Sequence, residues 1–109
     1  MNEITLYRYE NRDIRITIEA RWEGEELVVE GYDIGKRVEE YWGDSDYEYS
    51  ARVPAQEAKK LFALLGVNQD DKTGLLQRLA ERFCTNTAYS EFRHFLDQHG
   101  VYHEGFSWT

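Results

Sequence analysis

Ile14, Ile16, Ile18, Ala20 and Trp22 alternate with Arg15, Thr17, Glu19 and Arg21. Successive side chains of an extended chain point to opposite faces, so this stretch predicts a half-buried strand, apolar on one face and charged on the other. Ile4 to Tyr9 alternates more weakly and reads as the strand before it, joined through the polar turn Glu10-Asn11-Arg12-Asp13. The Gly-containing reversal Glu23-Gly24-Glu25-Glu26 returns a third strand, Leu27 to about Ile34, antiparallel beside the second. Gly35-Lys36 punctuates the chain, and Arg37 to Gly43 reads as loop or short strand. Asp46 to Val53 alternates again. Tyr47, Tyr49, Ala51 and Val53 share one side, predicted to be buried, and Asp46, Glu48, Ser50 and Arg52 the other.

At Pro54 the period changes. Proline suits the first position of a helix, where its missing N–H has no partner to lose. Ala58, Leu61, Phe62 and Leu65 then recur at helical spacing up to Gly66, a natural left-handed stop. Asp71 or Thr73 caps a second helix with the stripe Leu75, Leu76, Leu79, Ala80 and Phe83. Asn86 or Thr87 caps a third, carrying Tyr89, Phe92, Phe95 and Leu96 and ending at Gly100. The segment Val101 to Thr109 is expected as an extended tail or short strand, with Val101, Phe106 and Trp108 docked. Strands followed by helices imply an α+β fold rather than a doubly wound sheet. The expected architecture is a four-stranded antiparallel β meander in the N-terminal half, packed on one face by about three helices from the C-terminal half. One domain spans residues 1–109, and the other face of its sheet is left to solvent or to a partner.

Composition narrows the function classes. Hydrophobic residues make up 41% of the 109, enough to offset the entropy of ordering the chain. No apolar run approaches the ~20 residues of a membrane-spanning helix. The N-terminus lacks the basic and apolar stretches of a signal peptide, and the lone Cys84 offers neither an internal disulfide nor a thiolate cluster. A cytoplasmic location is the expectation. The net charge of −8 is concentrated, because residues 23–48 hold ten carboxylates against only Lys36 and Arg37. Such a field repels nucleic-acid backbones and anionic membranes and attracts a basic protein or cations.

The densest part of that window holds the candidate site. Glu39, Glu40, Tyr41, Trp42, Asp44, Asp46 and Glu48 set aromatic anchors among carboxylates, the composition of a protein-contact surface with an electrostatic rim. Asp44, Asp46 and Glu48 are also spaced by two. An extended backbone would present all three on one face, where a hard divalent cation could be held. The competing assignment pairs these acids across the sheet with Arg8, Arg15 or Arg21. His99, His103 and Glu104 offer a second, weaker metal grouping. Cys84 follows Phe83 on the helix stripe and is expected to pack as a small core residue. No nucleophile elbow, phosphate-cradling loop or dinucleotide fingerprint occurs, so neither an enzyme activity nor a cofactor is expected.

Tyr41-Trp42-Gly43-Asp44-Ser45-Asp46-Tyr47-Glu48-Tyr49, followed by Val53-Pro54 and a Leu-rich helix, resembles a group of small bacterial proteins without an assigned activity. The resemblance extends over the Leu27-to-Gly35 strand, the Leu75-to-Phe83 helix and the aromatic C-terminus. It implies a bacterial, cytoplasmic, single-domain protein and transfers no catalytic residue. The expectation from the residues themselves is a non-catalytic, acidic module that engages a basic protein partner, an immunity-type role being one version. The rival is a divalent-cation-binding protein, structural or hydrolytic, built on Asp44, Asp46 and Glu48. Homo-oligomerisation through a bare sheet face or edge is the third reading.

Overall fold

The structure, a computed structural model, describes residues 2–35 and 46–108, with Asp46 and Trp108 placed by their backbone. Among the described residues five strands and three helices follow one another as β1 (Glu3–Glu10), β2 (Ile14–Glu23), β3 (Glu26–Gly35), β4 (Asp46–Val53), α1 (Ala55–Leu64), α2 (Lys72–Arg82), α3 (Ala88–Gln98) and β5 (Glu104–Trp108). The strands form one antiparallel sheet in sequence order, β1 to β5. The fold is thus the expected α+β meander with one strand more than the four anticipated. The segment after α3 turns at Val101, which is buried at 3% exposure, and runs back along the open edge of β4. There it satisfies backbone groups that a four-stranded sheet would leave unpaired.

The strand boundaries follow from local chemistry. At the β1–β2 turn the Asn11 side-chain oxygen accepts from the backbone N–H groups of Asp13 and Ile14, at 2.8 and 2.9 Å. A two-residue reversal joins β2 to β3, where Glu23 pairs with Glu26. Gly24 takes φ +64° there while Glu25 does not, the signature of a turn whose twist matches the flanking strands. In β1 the register slips between Thr5 and Tyr7, so that Leu6 is buried and the adjacent Tyr7 also packs on the core.

All three helices lie against one face of the sheet. Ile18, Ala20 and Trp22 of β2, Leu27 and Val29 of β3 and Val53 of β4 meet Leu61, Phe62, Leu75, Leu76, Leu79, Phe92, Phe95 and Leu96 in one core. The Trp22 ring lies nearly parallel to Phe62, with centroids 6.0 Å apart, and its indole N–H donates to the Lys72 carbonyl at 3.0 Å. Lys72 in turn holds Glu25 at 2.7 Å, tying the β2–β3 hairpin tip to the start of α2. Asp71 caps that helix by accepting from the Gly74 N–H, as the spacing anticipated. Thr87 occupies the N-cap of α3 without a side-chain bond, and Pro54 stands just before α1 with extended backbone rather than as its first residue. Glu57 of α1 accepts from the Tyr102 N–H at 2.7 Å, fixing the entry to β5.

Gly31 and Tyr49 fix the middle of the sheet. They are direct cross-strand partners, and the Tyr49 ring lies over the glycine, in the space a β-carbon would occupy. Any side chain at position 31 displaces the ring. Gly31→Val should therefore lower unfolding free energy by about 1–3 kcal/mol in urea titrations. Because both changes act on one contact, the loss in Gly31→Val/Tyr49→Ala should be smaller than the sum of the single losses. Strict additivity would show that the ring does not depend on the glycine.

Candidate functional site

Pairing in register gives the uncovered face a definite composition. Its rows run Glu3, Arg21, Val28, Arg52, Glu104; then Thr5, Glu19, Glu30, Ser50, Phe106; then Arg8, Thr17, Tyr32, Glu48 toward β5. Val28 lies on this face yet is only 2% exposed, because Arg21 and Arg52 flank it and form ion pairs around it. Arg21 meets Glu23 and Glu30 at 2.6 and 2.7 Å, and Arg52 meets Glu23 and Glu26 at 2.8 Å each. Hydrogen bonds from Arg21, then Arg52, hold the Glu23 carboxyl below its ordinary range.

Beyond that neutralised patch the surface becomes acidic. Glu19 and Glu30 are direct cross-strand neighbours, an arrangement of like charges that costs stability. With Glu48, Tyr32 and Ser50 they line a shallow depression of about 270 Å³. Arg21 compensates Glu30, but Glu19 and Glu48 make no ion pair among the described residues. Phe106 stands in the same row as Glu19 and Glu30, and is 58% exposed.

Several expectations change here. Glu39, Glu40, Tyr41, Trp42 and Asp44 lie outside the described residues. The backbone puts Asp46 and Glu48 on the uncovered face as anticipated, but the expected pairing of Glu48 with Arg8, Arg15 or Arg21 does not occur. β3 stands between β4 and β2, which separates Glu48 from the β2 arginines by roughly 10 Å and from Arg8 on β1 by roughly 14 Å. Arg8 and Arg15 turn to Glu10 instead. Phe106 does not dock into the core, because its partner Ser50 faces outward and parity carries Phe106 with it. Cys84 is exposed rather than packed: α2 ends at Arg82, and the helix stripe no longer governs a residue past its end. Among the described residues no group of three or more His, Cys, Asp or Glu is placed to hold a metal ion. The His103 ring Nδ1 lies 3.1 Å from the Val101 carbonyl and its Nε2 3.4 Å from Arg93 Nε, while His99 packs against Phe95.

A second concavity, of about 390 Å³, opens on the helix side between α3 and the β3–β5 end of the sheet. It was not singled out from sequence. Tyr47, Tyr49, Asp33, Tyr89, Ser90 and Arg93 are among its walls. Tyr49 and Tyr89 meet edge to face with centroids 4.7 Å apart, and Tyr47 tilts against Tyr49 at 5.4 Å. The Tyr49 hydroxyl donates to Asp33 at 2.9 Å, and that of Tyr89 to the Ser50 carbonyl at 2.8 Å. Burial drives the Tyr49 hydroxyl far above its ordinary value, with the neighbouring Asp33 charge adding to it, so it stays a proton donor. Burial also raises Tyr89, while Arg93 pulls it back. The available signal was the i, i+4 spacing of Tyr89 and Arg93 on α3 together with Tyr47 and Tyr49 on the inner face of β4.

No protein-family model, curated protein or solved structure matches this chain. No helix among the described residues is long and apolar enough to cross a membrane.

Asp33 gives the cleft a pH signature. Burial raises its carboxyl above the ordinary 3.8, and the Tyr49 hydrogen bond opposes that rise only in part. The native state therefore holds this proton more tightly than the unfolded chain does. The resulting stability is complete at low pH and is lost as pH rises through the raised native value. Asn can still accept from Tyr49 without carrying charge. Asp33→Asn should thus melt higher than wild type at neutral pH, and the difference should vanish below pH 3.8. An equal shift at every pH would assign the effect to packing instead.

Proposed function

We propose that the protein is a non-catalytic binding module whose uncovered sheet face receives a basic protein surface. The observation that carries this reading is the placement of Glu19, Glu30 and Glu48 around Tyr32, one row from a Phe106 that is 58% exposed. An apolar ring beside carboxylates, of which Glu19 and Glu48 make no ion pair among the described residues, combines an anchor with an electrostatic rim. Like charges held side by side cost stability in the free protein, and a cationic partner would relieve that cost. The acidic excess of residues 23–48 supports the same sign of partner. Blocking a basic enzyme, as immunity-type proteins do, is one form this activity would take, and a cytoplasmic bacterial setting agrees with the resemblance of the Trp42-to-Tyr49 motif.

The test is affinity capture from a native bacterial lysate at low and high salt, comparing wild type with Glu19→Gln/Glu48→Gln and with Phe106→Ala. A stoichiometric basic protein should be retained most strongly by wild type at low salt and be released at high salt. Loss of both carboxylates should weaken it by about tenfold or more, and Phe106→Ala should accelerate its release. Identical capture by all three proteins, or retention that ignores salt, would remove the uncovered face as the binding surface.

A further inference from the structure

The helix-side cleft holds a cation that the fold positions but does not neutralise. Arg21 and Arg52, the other partly buried arginines of the sheet region, each take two carboxylates. Arg93 is half-buried and has no carboxylate partner among the described residues, although the protein carries a net charge of −8. Its guanidinium is nevertheless fixed from three directions. Nε lies 3.4 Å from His103 Nε2, and the His103 Nδ1 lies 3.1 Å from the Val101 carbonyl. The guanidinium packs on the Gly105 backbone, where a β-carbon would stand 3.0 Å from its central carbon. On another side it approaches the Tyr89 ring, 5.8 Å from the centroid.

A guanidinium held through Nε by His103, packed on Gly105 and engaged with Tyr89 still has N–H donors left for a planar, bidentate acceptor. The walls beside it are aromatic and hydroxylic, from Tyr47, Tyr49, Tyr89, Ser90 and Ser107. A volume of about 390 Å³ falls within the range of small-molecule sites. Asp33 lines the same space, so a multiply charged group such as phosphate would meet repulsion there. We propose that this cleft binds a small planar organic monoanion, an aromatic carboxylate, with Arg93 taking the carboxylate and the tyrosines the ring. The site opens on the helix side of the sheet and shares only Phe106 of the edge strand with the protein-binding surface, so its test rests on Arg93 and is independent of the carboxylates of the uncovered face.

Benzoate titrated into the full chain, followed by amide NMR shifts, tests the assignment. Saturable shifts should appear at Tyr47, Ser90, Arg93 and Ser107 and be absent from the uncovered face around Glu19. Benzyl alcohol, neutral but of similar shape, should bind about tenfold or more weakly, the ratio expected for losing a charge-assisted pair. Inorganic phosphate should not reproduce the pattern. Arg93→Gln should abolish the benzoate shifts while leaving the remaining spectrum dispersed. Should that variant fail to fold, the benzoate-to-benzyl-alcohol ratio on wild type decides by itself. Shifts absent at tens of millimolar benzoate, shifts mapped elsewhere, or equal binding of the alcohol or of phosphate would overturn the proposal.

Discussion

Strands that pair in register cannot choose one by one which residues face the helices. Once Trp22 of β2 turns inward, its partner Leu27 and the next partner Val53 must turn inward with it. The same parity carries Ala51 inward, and Gly105 with it, so Phe106 turns out. This two-residue period, imposed by the apolar alternation of β2, determines both surfaces of the molecule. It collects Ile18, Ala20, Trp22, Val29 and Val53 under the helices and leaves Glu19, Glu30, Glu48 and Phe106 outside.

The helices complete the core only over part of the inner face. Around Trp22, Phe62 and the Leu75-Leu76-Leu79 stripe, packing is apolar throughout. Toward Asp33 and Tyr47 the sheet extends beyond that apolar packing, and tyrosines take over, burying ring area while keeping a hydroxyl partner. Gly31 makes this transition feasible by allowing Tyr49 to lie across β3 and reach Asp33. The cleft at Arg93 is thus a consequence of where the apolar core stops, and the arginine at its wall is positioned by the last strand to join the sheet.

Local pattern revealed four strands and three helices because period, turn residues and caps all lie within short windows. The Asp71 cap and the Tyr49 inner face were legible in this way. What sequence did not reveal depends on partners distant along the chain. Glu104 to Trp108 alternates, yet which half of it faces out follows from pairing with Ser50, more than fifty residues earlier. The expected ion pairs of Glu48 failed because the order of strands places β3 between the charges. Exposure of Cys84 depended on a helix ending at Arg82, a boundary that the stripe through Phe83 obscured. Of the acidic site read from sequence, Asp46 and Glu48 fall on the uncovered face, while Glu19 and Phe106 join it only through register.

Carboxylate footprinting tests most directly whether the sheet face left open by the helices receives a basic partner. Carbodiimide labelling of the free protein and of the protein saturated with its captured partner would be compared residue by residue. Glu19 and Glu48 should label in the free protein and become protected in the complex, with Glu81 and Asp97 on the helix side unchanged. Protection at Glu81 or Asp97 with Glu19 and Glu48 still reactive would contradict this placement of the partner.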